Sequence, residues 1–390
     1  MNIFIIMLYA LSIYQSAVMA VLLFVSGMKN DKYPQKIIGI YLLLTSIYFV
    51  FNLLPFVLAL NMVVTLLYSA IPLMLVFIPL FYLYIKSLTT RDFRITQKHL
   101  LHFIPAILIC LFNLSCFIMA PRQSRSFFSG LAGDPHGTHY LYDGYCIMII
   151  GLFILQFAFY LTRFNRVYKE YDAFIMTHFS YTRGISLQWV KVMIRVFIAI
   201  FVVNEFLEIL GVDQHQAVDI INNISFLGFS LFVGYQGLRQ ITPRSSAEQV
   251  NQVLQQEVIM ADSTERTKYQ GSPLSQKQKM KLITGIERLM GTEKIFTNPK
   301  LSIQDVAFLL NTNSKYISQV LNEHYGKNFF SFINHYRVEE AKQLLSSNMA
   351  DKYSILGIGQ MAGFSSKSSF NEAFKVITGV TPSVYKQSGG

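Results

Sequence analysis

Hydrophobic residues are distributed very unevenly along this chain. Seven mostly apolar stretches fill the region up to residue 240, and each approaches the length that crosses a bilayer as a helix. From about residue 275 the apolar residues instead recur every three to four positions, which is typical of amphipathic helices with a polar face. The pattern predicts an all-α protein in which a membrane part precedes a water-soluble part.

The seven predicted spans occupy approximately residues 3–25, 37–60, 63–85, 101–120, 145–161, 190–210 and 220–238. The seventh is the weakest, because polar residues stand at its start. The first is longer than the hydrophobic region of a signal peptide, so we expect it to be retained as a helix. The spans predict a seven-helix transmembrane domain over residues 1–240.

Basic residues predict the orientation of these spans. The loops on one side hold 14 Lys and Arg residues, whereas the other side has Arg122 and Arg125. Because basic loops stay in the cytoplasm, the N-terminus is predicted to lie outside and the C-terminal domain in the cytoplasm. This count also supports the seventh span, without which the C-terminal domain would lie outside the cell.

Composition agrees with this division. Hydrophobic residues make up 52% of the chain and the mean hydropathy is +0.38, which is high for a soluble protein. The net charge of +11 includes the basic loops of the membrane part, so it does not by itself indicate nucleic acid. Residues 275–390 contain 14 Lys and Arg against 8 Asp and Glu, which fits a DNA-binding face or an ordinary solvated domain.

Polar residues in or beside the last two predicted spans are candidates for signal sensing. Such groups are costly in a bilayer and usually face a cavity or a partner. The alternative is a structural role in hydrogen bonds between helices and at the membrane interface. The candidate sensing residues are Asn204, Glu205, Glu208, Asn222 and Asn223.

Enzymatic motifs are missing from the sequence. There is no HExxH, GxSxG or phosphate-binding loop, so we expect neither catalytic residues nor a bound metal or cofactor. The last span has no lysine to form a retinal Schiff base. The three cysteines, Cys110, Cys116 and Cys146, lie in apolar stretches without a CxxC pair, and we expect them to be buried by packing.

A cytoplasmic linker is predicted over residues 241–274. Val250, Leu254 and Val258 recur every four residues in it, which predicts a short amphipathic helix. This helix could pair with a second copy in a homodimer, but it has about two heptads, and a plain connecting helix is the alternative.

The C-terminal domain, residues 275–390, is predicted to contain two helix-turn-helix units. In the first, a helix capped by Ser302 is followed by a polar turn and a helix capped by Ser314. A long helix over residues 329–345 leads to the second unit, with caps at Ser354 and Ser366. A helix, a tight turn and a second helix form the geometry that places the second helix in a DNA major groove.

The second unit contains AGFSSKSSFNEAFK from residue 362, followed by GVTPSVYK from residue 379. The first unit contains YISQVLNE from residue 316, followed by GKNFFSFINHYRVEEAK from residue 326. These motifs resemble the AraC/XylS family of bacterial transcription regulators, and the resemblance covers residues 275–388. It implies two helix-turn-helix units, bridged by the long helix, that read adjacent major-groove segments.

The residues that face DNA follow from helical spacing together with this resemblance. Gln and Asn suit adenine edges, and Lys suits guanine or a phosphate. Helix starts, Lys327, Arg337 and Lys375 are candidates for holding phosphates. The candidate base-contacting residues are Lys315, Ser318, Gln319 and Asn322 in the first unit, and Lys367, Ser368 and Asn371 in the second.

Three positions depart from the family pattern. Glu372 stands where members often have a basic residue, and its carboxylate would repel phosphate or select cytosine. Gly357 and Gly359 replace the usual Glu and Ala, and each glycine costs about 1 kcal/mol in a helix. These departures predict that the domain reads DNA chiefly through its first unit.

The leading hypothesis is a one-component regulator in the bacterial cytoplasmic membrane, with double-stranded DNA, the lipid bilayer and an unidentified small ligand or membrane signal as partners. One alternative is a membrane scaffold whose soluble domain binds a protein. Another is a transporter with a regulatory domain.

Overall fold

The computed structural model describes residues 3–29, 32–53, 60–90, 93–119, 139–209, 215–240 and 274–388. Every extended element of regular structure in these ranges is helical. The predicted all-α class is therefore confirmed for this part of the chain. The predicted linker helix, with Val250, Leu254 and Val258, lies outside the described residues.

A helix corresponds to each of the seven predicted spans, and a four-residue helix and a 3-10 turn at Leu101–Phe103 precede the helix of the fourth span. The helix of the fifth span continues far beyond residue 161, through a charged segment, to His178. The helices are α1 (Ile3–Lys29), α2 (Tyr33–Leu53), α3 (Leu60–Thr89), α4 (Gln97–Leu100), α5 (Ile104–Met119), α6 (His139–His178), α7 (Gln188–Ile209) and α8 (His215–Arg239).

Three segments of the described chain are long and apolar enough to cross a membrane, namely Ile3–Lys29, Tyr33–Leu53 and Ile147–His178. A shorter apolar segment, Leu73–Thr89, lies in α3. The described residues thus support three candidate spans where the sequence predicted seven.

Helix α5, which lies in the fourth predicted span, exposes an apolar face. Along α5, Ile104, Ile107, Leu108 and Leu111 are exposed, while Ala106 on the opposite side is buried. A surface of this kind is unfavourable in water and suits a lipid environment. Cys110, expected to be buried, is exposed on this helix. The side chains of Cys116 and Cys146 lie outside the described residues.

The chain divides into two compact units. The first comprises Met1–Tyr168 and Gln188–Gln240, and the second comprises Lys169–Leu187 and Ile241–Gly390. In the first unit, α1 packs against α2 and α8, and α3 packs against α2 and α5. The segment Lys169–Leu187, which the sequence assigned to the membrane part, therefore belongs to the same unit as the C-terminal helices.

The C-terminal helices follow the predicted order closely. Short 3-10 and α-helical turns at Ile295–Thr297 and Met349–Lys352 join the longer elements. The helices are α9 (Gln276–Gly291), α10 (Ile303–Leu309), α11 (Ser314–Tyr325), α12 (Phe329–Leu345), α13 (Met349–Lys352), α14 (Ile355–Met361), α15 (Lys367–Thr378) and α16 (Pro382–Gln387).

Each helix-turn-helix has its own hydrophobic core. The α10–α11 pair packs on α9 and the start of α12 through residues such as Ile286, Val306 and Ile317. The α14–α15 pair packs on the second half of α12 through residues such as Ile358 and Phe370. Since α12 contributes to both cores, it connects the two units.

Local capping explains where these helices begin. Ser302, Ser354 and Ser366 accept hydrogen bonds from backbone amides in the first turns of α10, α14 and α15, as predicted. The prediction of Ser314 as the cap of α11 was wrong by one residue, because Asn313 accepts from the amide of Tyr316. The polar turn offered two residues of similar capping ability.

Gly359 has a packing role that its departure from the family pattern did not predict. A Cβ built on it would lie 2.5 Å from Cδ1 of Phe370, the fully buried aromatic residue of α15. The missing side chain lets α14 and α15 approach each other closely. Although each glycine is unfavourable in a helix, both helices of this pair form and share a core.

Candidate nucleic-acid interface

The polar residues predicted on α11 share one side of that helix. Its opposite side is formed by Ile317, Val320 and Leu321, all at most 1% exposed. This burial fixes the rotation of α11 and leaves the polar side accessible. Lys315 and Asn322 are exposed, and Ser318 and Gln319 are half-buried.

A chain of polar contacts orients Gln319. Its Nε2 donates to Oε1 of Glu323 at 2.8 Å, and Nζ of Lys279 donates to Oε2 of the same carboxylate at 2.9 Å. The hydrogen bonds from Lys279 and then Gln319 lower the pKa of Glu323, which keeps it ionised. The sequence reasoning missed Glu323 and Lys279, because their pairing joins α9 to α11 across 44 residues.

The second candidate helix, α15, has a comparable arrangement. Phe370 and Phe374 anchor its inner side, and Lys367 and Ser368 are exposed while Asn371 is half-buried. The Ser368 hydroxyl lies 3.1 Å from Oγ of Ser366, the residue that caps the helix. The structure therefore places the three predicted residues on accessible positions of the first two turns.

Arg337 does not fit its predicted role as a phosphate ligand. It is 1% exposed, and burial lowers the pKa of its guanidinium to about 9, so it remains charged at neutral pH. Its Nε donates to the carbonyl of Phe296 at 2.7 Å, and its Nη2 donates to the carbonyl of Asn298 at 2.7 Å. The guanidinium therefore binds backbone carbonyls inside the protein and is not exposed to a DNA phosphate.

The remaining charged candidates are closer to the surface. Lys375 and Glu372 are exposed on α15, and Lys327 is half-buried after α11. Lys375 and Glu372 lie on one helix with opposite charges, so α15 presents a weaker positive potential than a basic residue at position 372 would give.

Part of the segment Lys169–Leu187 approaches these helices. Nη1 of Arg183 donates to the carbonyl of Ser365 at 3.2 Å, immediately before the cap of α15. Nη1 of Arg337 donates to the carbonyl of Ser180 at 2.8 Å. Sequence patterns gave no signal for these contacts, because the residues are 157 or more positions apart.

The candidate sensing residues are only partly described. Asn223 is 2% exposed in α8, whereas the side chains of Asn204, Glu205, Glu208 and Asn222 lie outside the described residues. The first unit also contains an apolar cavity of about 140 Å³, lined by aromatic residues that include Tyr41, Phe77 and Tyr160. This lining suits an apolar ligand.

Comparison with known proteins assigns the C-terminal region. Residues 298–388 match the family model described as a helix-turn-helix domain. The raffinose operon transcriptional regulatory protein RafR of Pediococcus pentosaceus is 30% identical over 89 residues. That match covers 23% of this chain and 31% of the RafR sequence, so the chain spans about a third of that relative.

Two solved structures are similar to part of this chain. A Listeria innocua protein of unknown function is 24% identical, with a TM-score of 0.25, and is covered completely by 30% of this chain. The C-terminal domain of AraT, a response regulator from Geobacillus stearothermophilus, is 26% identical, with a TM-score of 0.25; the match covers 30% of this chain and 88% of that domain.

Residues 298–388 are thus a helix-turn-helix domain of the AraC/XylS type, and this assignment supports DNA binding by the C-terminal region. The match to the family model begins at residue 298, after α9. In the structure, the core of the first helix-turn-helix also includes α9, through Ile286 and Leu289.

Proposed function

We propose that this protein is a membrane-anchored one-component transcription regulator. The observation that carries the proposal is the match of residues 298–388 to a helix-turn-helix domain on a chain whose described residues also include three candidate membrane spans. The proposed division is a seven-helix transmembrane domain at 1–240, a cytoplasmic linker at 241–274 and the DNA-binding domain at 275–390. The bacterial cytoplasmic membrane then holds the domain where it reaches the chromosome.

Sequence-specific binding would use the accessible sides of α11 and α15. Gln319 and Asn322 offer amide groups for adenine, and Lys315 offers an ammonium for guanine or phosphate. Lys367, Ser368 and Asn371 would contact the adjacent groove segment. The contact between Gln319 and Glu323 uses one of the two N–H donors of the amide, which leaves the other N–H and the amide oxygen for a base.

The similarity to RafR supports control of an operon by this domain. Signal sensing is assigned to the membrane part, where the polar residues of α7 and α8 and the aromatic cavity offer two places for a small ligand. A ligand changes DNA binding only when it binds two states of the protein differently. A homodimer would provide two copies of the domain for a longer operator.

The experiment that tests this function is genome-wide crosslinking of the full-length, membrane-bound protein to DNA. The variant Lys315→Ala/Gln319→Ala removes two candidate contacts on α11. Its matched control is Lys281→Ala, which removes an exposed charge from α9. We expect discrete sites with the wild type and the control, and their loss in the double variant.

Enrichment at the same sites in all three proteins would remove these residues from the interface. Absence of enrichment under every growth condition would contradict DNA binding by the intact protein. The scaffold would then become the leading hypothesis, and ligand accumulation in vesicles would favour the transporter.

A further inference from the structure

Residues 179–187, here called the docking segment, connect α6 to α7 and contact the helix-turn-helix domain within the second unit. Phe179, Ile185 and Leu187 are at most 3% exposed. The hydroxyl of Tyr171, near the end of α6, donates to the carbonyl of Ile185 at 2.9 Å. The segment is therefore folded back on α6 and held in one conformation.

Ser180 uses its backbone N–H, its backbone carbonyl and its hydroxyl in contacts with the domain. Its N–H donates to the carbonyl of Leu301 at 3.1 Å, and its hydroxyl donates to the same carbonyl at 2.6 Å. Its carbonyl and hydroxyl oxygens accept from Nη1 and Nη2 of Arg337 at 2.8 and 3.0 Å. Four hydrogen bonds at a residue that is 2% exposed indicate a specific contact.

These contacts complete the surroundings of a buried charge. A guanidinium has five N–H donors, and Arg337 has five neutral oxygen acceptors. Phe296, Asn298 and Asn334 supply three of them, and Ser180 supplies the other two. If Ser180 moved away, two N–H donors of the buried guanidinium would lose their acceptors. This loss is costly unless water molecules replace the two oxygens.

The docking segment reaches both helix-turn-helix units. Phe179 forms an antiparallel bridge with Ser302, the cap of α10 in the first helix-turn-helix. Burial, and secondarily the negative charge of Asp305, raise the pKa of Tyr181. Arg183 donates to the carbonyl of Ser365, just before the second helix of the second helix-turn-helix. The docking segment thus contacts both helix-turn-helix pairs, beside the helix α12 that joins them.

We propose that the docking segment is an intrachain ligand of the DNA-binding domain, and that DNA and this segment exclude each other. A recognition helix enters the major groove with its N-terminal residues. Arg183 bonds to the backbone immediately before that end of α15, so a duplex that approaches Lys367 and Ser368 would meet the docked segment. The inference rests on the proposed DNA-binding function and specifies how it is controlled.

The connection to α6 gives this contact a link to the membrane part. Helix α6 has 40 residues, which corresponds to about 60 Å, twice the thickness of a bilayer core. Its apolar portion and its charged end, next to the docking segment, are one continuous helix. The docking segment therefore follows directly, in the chain, on a helix that begins in an apolar stretch.

The first test uses the full-length protein in lipid nanodiscs, with Cys110, Cys116 and Cys146 replaced by alanine. The pair Phe179→Cys and Ser302→Cys places two thiols across the antiparallel bridge, where facing residues are close enough for a disulfide. We expect efficient disulfide formation on mild oxidation. The probe is a random-sequence DNA duplex of about 30 base pairs, long enough for two adjacent major-groove segments. Its affinity should fall at least about tenfold on oxidation and recover with reductant.

The second test does not alter the core. Arg183→Gln removes the exposed side chain that bonds to Ser365, and Arg166→Gln removes an equal charge from an exposed position of α6. We expect Arg183→Gln to bind the duplex about two- to fivefold more tightly than wild type, because an exposed contact of this kind contributes modestly. Arg166→Gln should match wild type.

Failure of the disulfide to form would overturn the docking contact. A disulfide that forms and leaves DNA affinity unchanged, or a weaker affinity in Arg183→Gln than in Arg166→Gln, would overturn the exclusion of DNA by the segment. Loss of duplex binding by every protein, wild type included, would contradict the proposed function instead, while the disulfide yield would still report on docking.

Discussion

Gly357 and Gly359 are two positions apart in α14, and their surroundings differ sharply. A Cβ at Gly359 would meet the ring of Phe370 at 2.5 Å, whereas a Cβ at Gly357 would have its nearest neighbour, the hydroxyl of Ser354, at 3.4 Å. Helical propensity treats both glycines alike. Tertiary packing makes the two positions different, because Phe370 beside Gly359 is fully buried and cannot move away without opening the core.

Alanine substitutions should therefore have opposite effects at these positions. We expect Gly359→Ala to lower the free energy of unfolding of the second unit by about 1–3 kcal/mol through overpacking. Gly357→Ala should raise it by up to about 1 kcal/mol, because alanine favours the helix. Hydrogen exchange of amides in α14 and α15 of the full-length protein measures both changes. Equal effects of the two substitutions would show that the close approach of Phe370 does not limit this site.

At the scale of elements, the C-terminal helices were predictable because their signals are local. Serine caps, a positive-φ glycine at 363 and apolar residues at helical spacing specify where each helix begins, ends and faces the core. The cap of α11 was misplaced by one residue, since Asn313 and Ser314 both suit that position. The contacts of Arg337 with Ser180 could not be predicted, because no periodic pattern connects residues 157 positions apart.

The exposed Glu372 permits a prediction about α15 as a DNA-binding element. Replacing this carboxylate by an ammonium in Glu372→Lys should raise affinity for duplex DNA about two- to tenfold, by removing repulsion and adding a phosphate contact. The slope of log affinity against log salt should become steeper by roughly 1. Fluorescence anisotropy over a salt series measures both quantities.

Asp351→Lys is the control for this substitution. It makes the same change of charge at an exposed position of α13, outside the recognition helices. The control should change affinity and slope less than Glu372→Lys does. Equal gains from both variants would mean that net charge, and not the position on α15, determines the effect.

At the scale of the whole molecule, the sequence predicted the all-α class and the location of the helix-turn-helix domain. Its count of seven spans goes beyond the three candidate spans found among the described residues. The sequence also assigned Lys169–Leu187 to the membrane part by its position between two apolar stretches. The structure groups it with the C-terminal helices, which shows that neighbours in sequence can belong to different units.

The number of spans can be decided at one loop, because three-span and seven-span arrangements differ there. With the N-terminus outside, both place residues 179–187 and the C-terminal domain in the cytoplasm. Residues 86–100 are cytoplasmic with seven spans, but outside the cell with the three spans Ile3–Lys29, Tyr33–Leu53 and Ile147–His178. The basic residues of this loop, including Arg94 and Lys98, favour the cytoplasm.

We therefore expect Lys98→Cys, in a background without the three native cysteines, to resist a membrane-impermeant maleimide in intact cells and to react after lysis. Ser126→Cys, in the loop predicted to lie outside by both arrangements, should react in intact cells and serves as the positive control. Labelling of Lys98→Cys in intact cells would contradict the seven-span arrangement. Protection of Ser126→Cys in intact cells, with labelling after lysis, would contradict both, and would also remove the basis for placing the docking segment beside the DNA-binding domain in the cytoplasm.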